Sequence, residues 1–422
     1  MAVVAGTVAG VALLVQKFGG TSVADASRLK SVADHIAAAR HRGDDVVVVV
    51  SAMGSTTDDL QRLAREVSHR PSLRELDMLL TAGERISMSL LCMALIDRNQ
   101  HAVSLTGSQA GIVTDTTHGK AKIVEVRADR IREVVTGGSV AVVAGFQGVS
   151  TTRDVTTLGR GGSDTTAVAL ASVLDADACE IYTDVAGVYS ADPRIVPGAR
   201  RLACVSYDEM LDMAATGGRV LALRSVEFAR NYQVRVHVRS SFTWEPGTWI
   251  REEDSDMEQA IIAGVTHDTS EAKVTLEQVP DRPGVAATIF RALADAAVNV
   301  DMIVQNVSMA GHTDVSFTVP ADELDLAIGV MEKIAPEIDA RGVSHDAAIG
   351  RVSIVGAGMK SNPGVAAQMF EVLARESVNI EMISTSTIRI SCVLRDSDVE
   401  RAVVALHRAF ELDVDPASRG RS

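Results

Sequence analysis

Cysteine is scarce and scattered. The four present, Cys92, Cys179, Cys204 and Cys392, lie dozens of residues apart with no CxxC pair or histidine cluster beside them, which argues against a disulfide framework and against a zinc site. An excess of positive charge is lacking too. With 41 lysines and arginines against 55 aspartates and glutamates, the formal charge is −14 and the pI near 5.2, so bulk electrostatics repel nucleic acid and anionic lipid alike. An anionic ligand therefore needs local basic groups. No window reads as the ~18–20 apolar residues of a bilayer span, and the uncharged start of the chain lacks the basic residues of a secretory signal. A loose extension over residues 1–12, a cytoplasmic location, and neither nucleic acid nor membrane as partner are the expectations. A Walker A loop is also missing, since the one candidate lysine precedes its glycines.

What is present is an ordinary globular composition, 46% apolar and 23% charged, over 422 residues, enough for two to four domains with real cores. From residue 13 to 250, β-branched runs at 13–18, 46–51, 140–145 and 179–183 alternate with helical stretches. That alternation predicts an α/β domain with a largely parallel, buried sheet. Asp25 is placed to cap a helix whose apolar face is Leu29, Val32, Ala33 and Ile36, with Gly43 as its stop. Residues 251–262 carry the charge run REEDSD and read as a linker. Beyond it the sequence repeats: Pro283 to Ala287 (PGVAA) recurs at Pro363 to Ala367, and Asn299 to Ile303 (NVDMI) at Asn379 to Ile383 (NIEMI). Both pairs share an offset of 80, the mark of a duplicated strand, helix and strand unit. Two small α+β modules are expected, over 263–346 and 347–414, before a disordered tail at 415–422.

The polar residues collect where strands end. Lys17, Gly19, Gly20 and Ser22 follow the first strand, where glycines let backbone N–H groups approach an anion and the lysine adds a mobile charge. A tight strand-to-helix turn explains the same residues equally well. Ser51 to Gly54, followed by Ser55, Thr56 and Thr57, reads as a ligand loop or as a plain polar loop. Glu84 in Thr81 to Arg85 can receive an ammonium group, although a surface pair with Arg85 is the simpler reading. The strongest segment is Gly159-Arg160-Gly161-Gly162-Ser163-Asp164. Arginine inside a glycine triplet, followed by Ser163 and Asp164 at a helix start, suits a carboxylate or phosphate and exceeds what a structural cap needs. Tyr182 to Arg194 places hydroxyl, carboxylate and guanidinium groups after another buried strand, again as ligand contacts or as a turn-rich loop.

Taken in this order, Lys17 to Ser22, Ser51 to Gly54, Thr81 to Arg85, Gly159 to Thr166, Asp184 to Tyr189 and Asp192 to Arg194 resemble aspartokinases of the amino-acid kinase family. The repeat is similar to their paired ACT modules, which are ferredoxin-like α+β units. The resemblance is strongest to the lysine/threonine-regulated type whose gene also encodes a separate β chain, and Met257 falls where that chain would start. It implies ATP-dependent phosphorylation of the L-aspartate side chain to 4-phospho-L-aspartate, with ATP and Mg²⁺ as cofactors, as a first step toward lysine, threonine and methionine. By resemblance Lys17, Gly19 and Gly20 hold the transferring phosphoryl group. Ser51, Thr183, Asp184, Asp192, Arg194 and Arg219 contact ATP, and Asp164 organises the charged centre. Glu84 binds the aspartate α-ammonium and Arg160 its α-carboxylate, with Thr57 and Ser163 beside the substrate. An ionised carboxylate is already a nucleophile, so catalysis reduces to aligning two anions and screening their repulsion.

For the repeat, the resemblance implies amino-acid effectors at Asp281, Asp301, Gln305, Asn379 and Ile380, and self-association through the modules. Three departures stand out. Arg219 replaces the family's usual nucleotide lysine in a chain with only seven lysines to 34 arginines, and Val285 and Thr387 occupy positions that are typically glutamate in lysine-sensitive members. Threonine binding is expected to survive, with Asp301 the main carboxylate left for lysine's second cation. The rival readings are a same-fold kinase for another small carboxylate, and a catalytically idle ACT sensor.

Overall fold

The computed structural model describes residues 11–218, 220–243, 245–252, 262–306, 311–362 and 364–414. Arg219, Met257, the tail and most of the expected extension and linker lie outside them. Two compact units form, one from 1–188, 201–214 and 219–256, the other from 189–200, 215–218 and 257–422. The change of unit is thus not a single cut near residue 250, because two short earlier stretches cluster with the second unit.

The first unit is built on an eight-stranded sheet in the order Cys204–Val205, Thr248–Ile250, Val236–Ser240, Ala178–Thr183, Leu13–Phe18, Asp45–Val50, Val140–Ala144 and Ala102–Leu105. Every neighbouring pair is parallel except Val236–Ser240 with Thr248–Ile250. The five valines at 46–50 are at most 1% exposed, as a strand covered on both faces requires. Helices Ala26–His41 and Ala82–Ile96 cover one face, packing on Val46, Val48, Val50, Phe18 and Tyr182. Helix Gly162–Leu174, nearly all of it buried, covers the other. Asp25 caps the first helix by accepting from Ser27 N and Arg28 N at 2.9 Å each, and Gly43 follows its end at φ +97°. A smaller four-stranded sheet joins Ile123–Val126, Ile112–Thr114, Gln147–Ser150 and Val155–Thr157.

One expectation fails here. The helical stretch Leu73–Ile96 is long and apolar enough, by length and composition, to cross a membrane. It breaks at Thr81 into Leu73–Leu80 and Ala82–Ile96; Leu80, Met88, Leu91, Cys92 and Leu95 are buried in the core, while Leu73, Met78, Ile86, Leu90, Met93 and Ile96 are exposed.

The second unit contains two modules, each a four-stranded antiparallel sheet with two helices. The first runs in the order Ile303–Gln305, His312–Pro320, Glu271–Pro280, Gly342–Asp346, and the second Gly264–Asp268, Ile349–Val355, Arg389–Arg395, Met382–Thr385. Strand Gly264–Asp268 therefore belongs with the second module, not with the first as the 263–346 division expects. It pairs along Ile349–Val355 from Gly264 opposite Val355 to Asp268 opposite Arg351, closing an edge that would otherwise stay open. The first module is thus inserted between the strands of the second. Crossed ion pairs join them: Lys273 of the first with Glu381 of the second, and Arg351 of the second with Asp301 of the first. Arg351, 1% exposed, also binds Glu271 at 2.7 Å and the carbonyl of Ala215 at 2.9 Å, so both terminal nitrogens of this buried cation are engaged while its Nε is buried without a hydrogen-bond partner. Met302 packs between them on Ile349, Met382 and Val393.

Candidate active site

Side chains alternate along a strand, so Phe18 and Lys17 at the end of Leu13–Phe18 point to opposite faces. Phe18 enters the core under helix Ala26–His41. Lys17 turns toward the helix on the other face, where its Nζ meets Asp164 Oδ1 at 2.6 Å, with both side chains 12% exposed. Asp164 stands in the first turn of Gly162–Leu174, where the helix dipole favours negative charge. A lysine held by one carboxylate at a helix start is a cation positioned for a further anion.

The neighbouring loops are tied together by backbone. Gly19 N donates to Tyr182 O at 3.2 Å, Ser51 N to Phe18 O at 3.1 Å and Gly54 N to Gly20 O at 3.1 Å. Gly20 is required by this closeness, since a Cβ there would lie 2.9 Å from Ala52 O. Strand Ala178–Thr183 pairs beside Leu13–Phe18, Tyr182 opposite Phe18, and so brings Thr183 and Asp184 to the same sheet edge, with Thr183 Oγ1 donating to Asp184 Oδ1 at 3.0 Å.

Glu84 departs most from the simpler sequence reading. It makes no surface pair with Arg85: it is 3% exposed, and its Oε1 accepts from Ala52 N at 3.1 Å. Its Oε2 is buried without a hydrogen-bond partner. Burial pushes the carboxyl up to about 7, against weaker opposing hydrogen bonds. A buried, half-satisfied carboxylate is a costly arrangement that a cationic ligand would relieve. Thr57 lies in the first turn of helix Thr56–Val67, adjoining the loop that holds Glu84.

Arg160 sits on the loop before Asp164. Gly161 holds that loop at φ +71°, where a Cβ would come 2.1 Å from Ala222 Cβ, and Arg224 fixes the carbonyl of Leu158 at 3.1 Å. The Arg160 side chain is exposed and has no ion pair among the described residues. Ser163 is buried beside Asp164. A cavity of about 260 Å³ lies on the opposite face of the strand ends, lined by Phe18, His35 and Tyr182, and involves neither Lys17 nor Asp164.

The structure thus gathers Lys17, Gly19, Gly20, Ser51, Thr183 and Asp184 at adjoining strand ends, with Asp164 and Ser163 at the helix start and Glu84 bonded to the Ser51 loop. Asp192 and Arg194 belong to the second unit and pair with each other at 2.6 Å, the guanidinium holding the Asp192 carboxyl below its usual range.

The five expected effector residues do not form one pocket within a chain. Asp301 N donates to Thr318 O, and Thr318 stands opposite Lys273. Asp281 follows the far end of that strand, more than about 20 Å away at ~3.3 Å per residue. Gln305 lies opposite Val315, between these levels. Asn379 and Ile380 adjoin Glu381, which binds Lys273 and, at 3.0 Å, Arg395. Asp301 is paired through one oxygen with Arg351, so a lysine ammonium would have to share it with that guanidinium.

A mostly parallel sheet with a lysine-glycine turn at its carboxyl edge, followed by a duplicated βα-type module, defines an amino-acid kinase carrying an ACT pair. Residues 12–240 match the amino acid kinase family, and 276–333 and 352–410 the ACT domain. The chain is 56% identical over 409 residues to an aspartokinase of Mycolicibacterium smegmatis, covering 96% of this chain and 97% of that one. It is 52% identical over 410 residues to an aspartate kinase of Pseudomonas putida, covering 97% and 100%. Among solved structures, E. coli aspartokinase III in complex with aspartate and ADP is similar with a TM-score of 0.81 at 26% identity, covering 94% of this chain and 99% of that one. The chain belongs to the aspartokinase family.

Proposed function

We propose that the protein transfers the γ-phosphoryl group of ATP to the side-chain carboxylate of L-aspartate, giving 4-phospho-L-aspartate and ADP. The observation that carries this reading is Glu84, a buried carboxylate whose open oxygen suits an α-ammonium group. Arg160 supplies the matching fork for the α-carboxylate. Recognition of both charged groups leaves the β-carboxylate as the nucleophile, aimed at the phosphoryl group beside Lys17 and the Gly19–Gly20 backbone. No general base is needed. Lys17 screens the repulsion between the two anions, and Asp164 holds Lys17 in place. The E. coli relative, crystallised with aspartate and ADP, supports the same pairing of ligands.

Thr57 and Ser163 line the substrate in this reading, and Ser51, Thr183, Asp184 and Arg219 serve the nucleotide. No three His, Cys, Asp or Glu side chains cluster as a metal cage among the described residues. Mg²⁺ carried on ATP needs only one or two carboxylates, and Asp164 fits that role. The ion would neutralise charge developing on the phosphates.

Regulation by amino acids through the ACT pair belongs to the same proposal, with threonine as the retained effector. Asp281 and Asn379–Ile380 lie far apart within one chain, so a site that uses both needs a second copy. This supports self-association through the modules, with a separate β chain begun at Met257 as a further form, in the cytoplasm. The test is ADP release with aspartate, glutamate and other small carboxylates in turn, the acyl phosphate being trapped by hydroxylamine. Turnover confined to aspartate is expected; turnover with another carboxylate in preference to aspartate would overturn the assignment.

A further inference from the structure

Seven residues before Glu84, at a position that no motif marks, stands a carboxylate buried as deeply as any in the first unit. Asp77 is 1% exposed and lies in helix Leu73–Leu80. Its Oδ1 accepts from Thr157 Oγ1 at 2.5 Å and from Gly119 N at 3.2 Å. Its Oδ2 accepts from Gly119 N at 3.2 Å and from His118 Nδ1 at 2.7 Å. A carboxylate offers only acceptors, so His118 carries its proton on Nδ1. One side chain thereby ties three separate segments: its own helix, the 115–122 loop, and the end of strand Val155–Thr157.

That strand runs directly into Gly159 and Arg160. Gly159, at φ +77°, is packed so closely on the fastened loop that a Cβ would lie 3.1 Å from Gly119 O. Ala121 N donates to Thr157 O at 2.9 Å, and Leu158 N to Phe146 O at 2.8 Å. The Arg160 loop therefore rests on Phe146 beneath, on Ala222 and Arg224 on one side, and on His118 to Lys120 on the other. The last support is held by the buried charge of Asp77 together with the Ala121 to Thr157 backbone bond.

We propose that Asp77, with His118 and Thr157, is a positioning network for the substrate-specificity loop: it holds the Gly119 backbone against Gly159 and so sets where the Arg160 guanidinium meets the α-carboxylate of aspartate. This rests on the assignment of Arg160 as that clamp. Asp77 touches no substrate in this scheme and acts only through the loop. An error of about 1 Å in a clamp costs much of its binding.

Asp77→Asn keeps the shape but confronts an N–H donor with an amide NH₂ whichever way it is turned. It is expected to raise KM for aspartate about tenfold, the loss of one charge-assisted hydrogen bond, with KM for ATP unchanged. In Arg160→Ala the same change should add nothing further, because the clamp it positions is gone. Thr157→Val, which removes one bond only, should give a smaller shift of the same kind and serves if Asp77→Asn does not fold. Equal rises in both KM values, or full additivity with Arg160→Ala, would overturn the proposal and leave a purely structural network. If Arg160→Ala itself leaves KM for aspartate unchanged, the fault lies with the clamp assignment.

Discussion

Glu84→Gln separates stability from function. Burial raises the Glu84 carboxyl from 4.5 to about 7, so the folded protein without substrate prefers the protonated acid. A folded value above the unfolded one makes a contribution that is present below about pH 4.5 and lost as pH rises through 7. The rise corresponds to about 3 kcal/mol of disfavoured burial above pH 7. Glutamine keeps an acceptor for Ala52 N and carries no charge. Glu84→Gln is therefore expected to stabilise the substrate-free protein at pH 8 by up to ~3 kcal/mol, with little effect at pH 4.5. The same change removes the partner of the substrate ammonium, worth ~1.5–3 kcal/mol, or one to two decades in affinity for aspartate. In the wild type only the ionised form binds, so KM for aspartate should climb about fivefold between pH 7 and pH 6, while KM for ATP stays level. Chemical denaturation at the two pH values and steady-state kinetics from pH 6 to 8 read both effects. A variant less stable than wild type at pH 8, or a KM for aspartate flat across that range, would refute the reasoning.

Lys17→Ala is expected to lower kcat by about 10²–10³-fold with a smaller change in KM for aspartate, because the lost cation acts chiefly on charge developing in the transition state; wild-type turnover would remove Lys17 from the site. In the ACT pair, lysine inhibition is expected to be one to two decades weaker than in a lysine-sensitive relative. Val285 and Thr387 supply no carboxylate, and Asp301 and Glu381 are already paired with Arg351 and Lys273. Inhibition assays with lysine and threonine, singly and together, check this. Recovery in Thr387→Glu is expected, and undiminished lysine inhibition in the parent would contradict the account.

What could be read in the chain was local or repeated. The valine run at 46–50, the Asp25 cap and the duplicated NVDMI and NIEMI blocks each announce themselves within a few residues, and all three have structural counterparts. Lys17 and Asp164 are 147 positions apart, and each was legible as the end of an element; their 2.6 Å contact follows from strand alternation. Read from its neighbours alone Glu84 suggests a surface pair, because Arg85 beside it offers an obvious partner, whereas its buried partner is the backbone N–H of Ala52 from a different loop. Strand Gly264–Asp268 looks like part of the module it precedes, and only the hydrogen-bonding register gives it to the other. Leu73–Ile96 hid its apolar length behind Glu84 and Arg85. Asp77 carries no motif at all: its importance lies in three partners drawn from positions 118, 119 and 157.

The most direct test of the central claim is a crystal structure with L-aspartate and a non-hydrolysable ATP analogue bound. The account predicts the α-ammonium on the open oxygen of Glu84, the α-carboxylate in the fork of Arg160, and the β-carboxylate facing the terminal phosphate beside Lys17. Aspartate bound away from Glu84, or turned so that its α-carboxylate faces the phosphate, would contradict it.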